Sequence, residues 1–196
     1  MSARDVPYPT PGYTVRVPDA TWDSALVTVR AYGARGRGSE ALVYLAGVVA
    51  GDEMIVTGLY RLEHAPQGDR VAVTPEESRW LLRTLSARDE KLIGQLHSHR
   101  GLAGHSHGDD IWATSFHEGF LSIVVPFFGR GVTAPSECAV LEYRGGRFID
   151  LDDAEVEHRI HVYAPVVARA GVVVGTGENG WTRFVQRLKS IARRRR

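Results

Sequence analysis

The stretch EALVYLAGVVAGDEMIVTGLYRLEH, residues 40–64, constrains the fold more than any other part of the chain. Two apolar runs rich in β-branched and aromatic residues flank Ala50-Gly51-Asp52. The second, EMIVTGLYRL, partly alternates, and the pattern predicts two strands joined as a hairpin. Other elements assemble around it. Upstream, PYPTPGY is punctuated by prolines and reads as part of an extended arm over residues 1–18. DATWDSALVTVRAY, from Asp19 to about Tyr32, has an acid near its start and Trp22, Leu26 and Val29 at helical spacing before the breaker GARGRG, which predicts a helix.

Downstream, VAV at 71–73 reads as a short strand. TPEESRWLLRTLSARD then begins a helix with Thr74 as N-cap, Pro75 at the first helical position and Glu77 three residues after the cap. KLIGQLHSH is a strand by its alternation, GDDIWATSFHEG a helix, and FLSIVVPFF, CAVLEY and GRFIDL are strands, the last two turning at Gly145-Gly146. Beyond Asp152 the pattern is ambiguous until RFVQRLKSIARRRR. There Phe184, Leu188 and Ile191 form one helical stripe beside Arg187 and Lys189. Strands mixed with helices in this order indicate an α/β (α+β) class. The 196 residues suit one domain, placed at 19–151 between the arm and a basic C-terminal extension at 152–196.

Composition excludes some classes. An apolar fraction of 43% and a charged fraction of 24% are those of a globular protein, and runs such as LSIVVPFF, broken by Pro126, are too short to span a bilayer. A lone cysteine, Cys138, and an N-terminus without the apolar core of a signal peptide lead us to expect a cytoplasmic protein. The basic tail over residues 183–196 reads more readily as a docking helix with a charged end than as a nucleic-acid contact.

Chemistry concentrates in LHSHRGLAGHSHGDD, residues 96–110. On a strand, residues two apart share a face, so Ile93, Gln95, His97 and His99 are expected on one side, with two imidazoles emerging together at the strand end. After the turn RGLAG, Ser106 falls three or four residues from Asp109 and Asp110, close enough to be neighbours on a helix. Two imidazoles and one carboxylate, with a fourth position left for water, form the ligand set of a catalytic zinc site. A four-histidine site completed by His105 and His107 is the competing arrangement, and a solvated Gly/His/Ser turn the plain one.

These residues resemble the JAMM (MPN+ or JAB domain) metalloproteases, and in particular their bacterial, deubiquitinase-like isopeptidases. That signature is an upstream Glu, then H-x-H, a loop, and S-x-x-D. His97-Ser98-His99 matches the pair and Ser106-His107-Gly108-Asp109 the second piece. The loop is one residue shorter than the common spacing. A second register therefore puts the aspartate at Asp110 and His107 where serine belongs; keeping Ser106 selects Asp109. The upstream acid matches Glu40 in SEALVYLAG, with Glu53 as competitor. Arg100 follows His99 where the family has proline.

The resemblance implies a JAB/MPN-type mixed β-sheet flanked by helices, of cytidine-deaminase-like architecture. It further implies Zn2+ held by His97, His99 and Asp109 (alternate Asp110), Glu40 as general base and acid, and Ser106 as oxyanion donor. The implied activity is that of an isopeptidase or peptidase that removes or processes a ubiquitin-like protein at its C-terminal glycine tail, in a bacterial conjugation system with cognate activating and conjugating enzymes, some such systems being linked to phage defence. The alternative is a catalytically silent MPN-like scaffold.

Overall fold

A computed structural model describes residues 6–35, 38–62, 73–104, 115, 117–164 and 172–175. Within them a single nine-stranded mixed sheet carries the fold. The elements are β1 (Thr14–Pro18), α1 (Asp19–Gly33), β2 (Leu42–Ala50), β3 (Glu53–Leu62), α2 (Pro75–Ala87), β4 (Lys91–Ser98), β5 (Leu121–Val125), β6 (Ala139–Arg144), β7 (Arg147–Leu151), α3 (Asp153–Arg159), β8 (Ile160–Tyr163) and β9 (Val172–Gly175). Spatially the strands run β7-β6-β5-β4-β2-β3-β1-β8, with β9 pairing β3 off this path. The expected α/β class holds.

The hairpin of β2 and β3 is antiparallel and central. β4 adds to its other side, antiparallel to β2 and parallel to β5. Parallel neighbours cannot be joined by a tight turn. The chain after Ser98 must therefore return from the carboxyl end of β4 to the amino end of β5, and the histidine-rich segment leaves from that end.

Each face of the sheet is covered. On one, Trp22, Leu26 and Val29 of α1 pack with Val43, Leu45, Leu96 and Ile123. Leu81 and Leu85 of α2 pack on the other with Leu42, Tyr44, Tyr60 and Phe120. Burying each such side chain contributes about 1.5–3 kcal/mol. α2 starts where its sequence places it: the Thr74 side chain accepts from the Glu77 amide at 3.2 Å, and Glu77 accepts in return from the Thr74 amide at 2.8 Å.

Several expectations are corrected. Residues 14–18 are not the end of an arm but a strand, because Val15 and Val17 bury into the core while β1 pairs in parallel with both β3 and β8. FLSIVVPFF stops being a strand at Pro126, which opens a 3-10 turn, Pro126–Gly129. α3, β8 and β9 appear in the ambiguous region. The strand expected at 71–73 and the helix expected at 108–119 fall largely outside the described residues, although Glu118 and Gly119 form a turn; the basic helix at 183–196 lies outside them entirely. Among the described residues no helix is long and apolar enough to cross a membrane.

A buried ion pair ties the two ends of this domain together. Arg159 of α3 donates to both Glu142 carboxylate oxygens, at 2.6 and 3.1 Å, and to the Tyr13 carbonyl at 3.2 Å. Glu142 also accepts from the Gly12 amide at 2.9 Å. Burial raises the Glu142 carboxyl, but these hydrogen bonds and the guanidinium charge outweigh it, and its pKa lies below the usual value. Stability from the pair is therefore complete above the unfolded glutamate value of about pH 4.3 and drains away as pH falls below it. Glu142→Ala, which strands a buried guanidinium, should cost about 3–5 kcal/mol in urea denaturation at pH 7, and Glu142→Leu/Arg159→Met much less. In the native chain, the midpoint of unfolding should fall on acidification below about pH 4.3, and that acid-dependent loss should shrink in the double variant.

Candidate functional site

β4 is buried almost throughout, and its carboxyl end carries the two imidazoles. His97, 7% exposed, lies opposite Leu42 of β2 and Val124 of β5. His99 stands just past the strand, its amide donating to the Val125 carbonyl at 2.9 Å. The ring centroids are 5.1 Å apart and tilted by 58°. One expectation fails locally. The β2–β4 register passes from Leu45–Gly94 to Ala46–Leu92, leaving Ile93 unopposed in a bulge. Strict alternation is therefore broken at Ile93, which packs with the α1-side core rather than on the face that Gln95 and His97 share with Tyr44 and Leu42.

Ser98, between the histidines, is fully buried and fastens the other half of the site. Its amide donates to the Ala41 carbonyl at 3.1 Å, and its Oγ accepts from the Ala41 amide at 3.0 Å. Glu40, half-buried, is the residue next to this clamp and so sits at the histidine end of the sheet. Glu53 does not. It pairs with Ala50 across the hairpin turn and with Thr14 of β1, and lies 3.7 Å from Arg16. That is the opposite end of β2, about 26 Å away at the usual strand rise.

The remaining candidates, Ser106, Asp109 and Asp110, lie outside the described residues, as do His105 and His107. Among the described residues no group of three or more His, Cys, Asp or Glu side chains is placed to hold a metal. The structure thus sets His97 and His99 side by side and places Glu40 one residue before the Ala41–Ser98 clamp, while the third ligand and the oxyanion donor fall on residues it does not describe.

A strained turn braces the site. Phe127 and Phe128 both adopt left-handed backbone conformations, with φ of 50° and 53°. Each such residue costs about 1–3 kcal/mol and persists only where surroundings hold it. Here the Phe127 amide donates to the Gly101 carbonyl and the Phe128 amide to the His99 carbonyl, both at 2.8 Å. Arg30 of α1 adds hydrogen bonds to the Gly129 and Val132 carbonyls at 2.9 and 2.7 Å. The Phe128 side chain presses on Gly33 and Gly38, where an added Cβ would lie 2.4 Å from its Cβ and 2.8 Å from its ring respectively. Phe128 therefore holds the His99 backbone with its own amide and the approach to Glu40 with its ring.

Two groups that invite chemical readings have other roles. Cys138 is buried, which pushes its thiol up to about 12, so it is protonated at neutral pH. His117 is at the other end of β4, stacked on Tyr8 with centroids 4.0 Å apart and hydrogen-bonded to the Leu92 carbonyl at 2.9 Å. Burial lowers its pKa. Ser98 and the Phe127-Phe128 turn were not singled out by sequence reasoning. Serine between two histidines offered a faint signal; left-handed phenylalanines offered none, since the residue type argues against the conformation.

No protein-family model matches this sequence. The chain is 32% identical over 121 residues to the probable metalloprotease y4jG of Sinorhizobium fredii, covering 60% of this chain and 74% of that protein. Its fold is similar to the solution structure of protein DSY2949 from Desulfitobacterium hafniense, with a TM-score of 0.58, 16% identity, and coverage of 78% of this chain and 94% of that one.

The clamp makes its own prediction. Ser98→Ala leaves the buried Ala41 amide without an acceptor and should cost about 1–3 kcal/mol in chemical denaturation. Ser98→Thr, which keeps the oxygen, should recover part of that loss.

Proposed function

The chain belongs to the family of the probable metalloprotease y4jG, and from that premise we propose that it is a zinc-dependent hydrolase of the JAMM type. Its proposed substrate is a ubiquitin-like protein or its conjugates, cut at the C-terminal glycine tail. What supports this reading most is the pair of adjacent imidazoles, His97 and His99, at the carboxyl end of β4, with Glu40 directly before the Ala41–Ser98 clamp in the chain. Two imidazole donors at a strand end, with a carboxylate just ahead of the neighbouring strand, suit a catalytic zinc site in which the acid serves the reaction.

His97 and His99 would hold the ion together with Asp109, or Asp110 in the alternate register. When bound, the ion supplies Lewis-acid polarisation, lowering the pKa of water toward neutrality. The protein's own groups manage protons and charge. Glu40 takes the proton from the attacking water on a carboxylate oxygen and returns it to the departing amine nitrogen. Ser106 donates its hydroxyl to the oxygen of the attacked carbonyl as negative charge develops there. Phe128, through its hydrogen bond to the His99 carbonyl and its ring against Gly38, keeps the two halves of this arrangement in register. Arg100, exposed just after His99, places a cation at the mouth. In bacteria such a hydrolase would work beside the activating and conjugating enzymes of a ubiquitin-like system, phage defence being one setting for it.

Cleavage of a ubiquitin-like protein carrying an extension after its Gly-Gly terminus tests the reading, with zinc content measured in parallel. The native chain should retain about one zinc, an expectation from the three-ligand site, and cut the fusion. Glu40→Ala should keep the metal and lose about 100- to 10,000-fold in rate. His97→Ala should lose both metal and activity. Undiminished cleavage by both variants would overturn the mechanism.

A further inference from the structure

Two apolar side chains stand in solvent beside the strained turn. Leu102, at 78%, is the most exposed large apolar side chain among the described residues, and Phe127 is the only aromatic in that exposed group. The two are neighbours: the Phe127 amide donates to the Gly101 carbonyl at 2.8 Å, and Leu102 follows directly from Gly101. Apolar side chains scattered singly over a surface need no explanation, whereas adjacent ones bordered by charge mark places where another molecule docks.

The turn has no need of the Phe127 ring. Its backbone, with φ of 50° and ψ of 34°, takes a conformation that glycine adopts without strain. Its bond to Gly101 uses the main chain, which any residue but proline supplies. Phe128, in the same conformation, is buried against Gly33 and Gly38, and Phe127 has no such return. Backbone strain kept without a matching gain in packing points to function. Cations surround the pair. Arg100 is exposed between His99 and Gly101, both tied to the backbone of residues 125–128. Arg130 is exposed on the other side, its amide donating to the Phe127 carbonyl at 3.2 Å. Arg30 adds a third positive charge, its guanidinium donating to the Gly129 and Val132 carbonyls. No Asp or Glu occurs in residues 96–104 or 126–133 to offset these charges.

We propose that Leu102 and Phe127, flanked by Arg100 and Arg130, form a docking surface for a protein whose contact face carries apolar side chains bordered by Asp and Glu. Aromatic side chains and arginine are the residues enriched where proteins meet, the aromatic as an anchor that becomes buried and the arginines as charges that steer and orient the partner. A nucleic acid is drawn to the same cations. It binds through successive aromatic platforms for successive bases, however, and here one ring stands beside an aliphatic side chain, so the surface suits a protein better. Docking here requires neither a metal nor cleavage and therefore goes beyond the hydrolase reading. Arg100 follows His99 in the chain, so a protein held on this surface lies beside the candidate site.

Two measurements on the full chain test the proposal. In urea denaturation, Phe127→Gly should unfold at a midpoint no lower than that of the native chain, because the strain leaves with the ring, whereas Phe128→Gly should unfold at a clearly lower one. A fall for Phe127→Gly as large as that for Phe128→Gly would mean that the ring serves the fold, and the proposal would be overturned. The second measurement is binding, followed by the anisotropy of a fluorescein-labelled peptide, EELLEELLEE, with KKLLKKLLKK as its charge-reversed counterpart. The native chain should bind the acidic peptide and not the basic one, and added salt should weaken the complex. Arg100→Glu/Arg130→Glu should bind the acidic peptide at least about tenfold more weakly, and so should Phe127→Gly. No binding by the native chain, equal binding by native and substituted chains, or tighter binding of a labelled oligothymidylate than of the acidic peptide refutes the proposal. If the charge-reversed variant fails to fold, Phe127→Gly, whose folding the first measurement reports, decides alone. Neither measurement involves metal or cleavage, so loss of the hydrolase reading leaves this surface standing, and failure here leaves that reading untouched.

Discussion

Strand β4 is held from both edges, and the candidate site inherits its position from that. It is laddered to β2 on one side and β5 on the other, with side chains buried from Leu92 onward. A strand so enclosed cannot slip: a shift of one residue would turn His97 out of its face and drive Leu96 into it. The Ile93 bulge absorbs the one irregularity upstream of the histidines. The last bonds of the ladder are made by Ser98 and His99 themselves, to Ala41 and Val125. The backbone that carries the histidines is therefore fixed by the same hydrogen bonds that close the sheet, and Ala41, next to Glu40 in the chain, is fixed by them too.

Much of this was legible in the sequence where local chemistry and tertiary context agree. The β2–β3 hairpin, α1, the capping box that opens α2, and the β6–β7 turn at Gly145-Gly146 each carry a local signal, either a period or a cap, that the packed structure has no reason to override. Glu40 precedes the Ala41–Ser98 clamp in the chain, whereas Glu53 lies at the opposite end of β2. β1 was missed because a short run between Pro11 and Pro18 looks like an arm; what makes it a strand is long-range, namely parallel pairing to β3 and β8. The bulge at Ile93 was invisible for a similar reason. It is a property of the β2–β4 register, and alternation along one strand cannot reveal it.

The Phe127-Phe128 turn shows a different limit. Glycine would adopt both left-handed conformations without strain. Two phenylalanines there mean that the inward ring gains more from packing than the backbone loses. Phe128 gains it against Gly33 and Gly38, which have room for the ring only because they lack a Cβ. The strain and the glycines are two halves of one fit, separated by some ninety residues in sequence, and neither half signals the other locally. Phe127 is 45% exposed, so its ring recovers less by packing. Strain retained beside a candidate site is a common cost of holding functional groups in place.

The distribution of reactive side chains also bears on what attacks the substrate in the proposed reaction. Cys138 is held protonated by burial, and its side chain packs in the α1-side core. Ser98 is at the site, but its hydroxyl is fully buried and engaged as acceptor for the Ala41 amide, so it cannot reach a substrate without dismantling the clamp that positions Glu40. His117 is spent on packing against Tyr8 at the far end of the strand. Among the described residues at the carboxyl end of β4, this leaves a carboxylate and two imidazoles, groups suited to moving protons and holding a cation rather than to forming an acyl intermediate. That division favours a water molecule as the attacking group, with Glu40 as the residue that handles its proton.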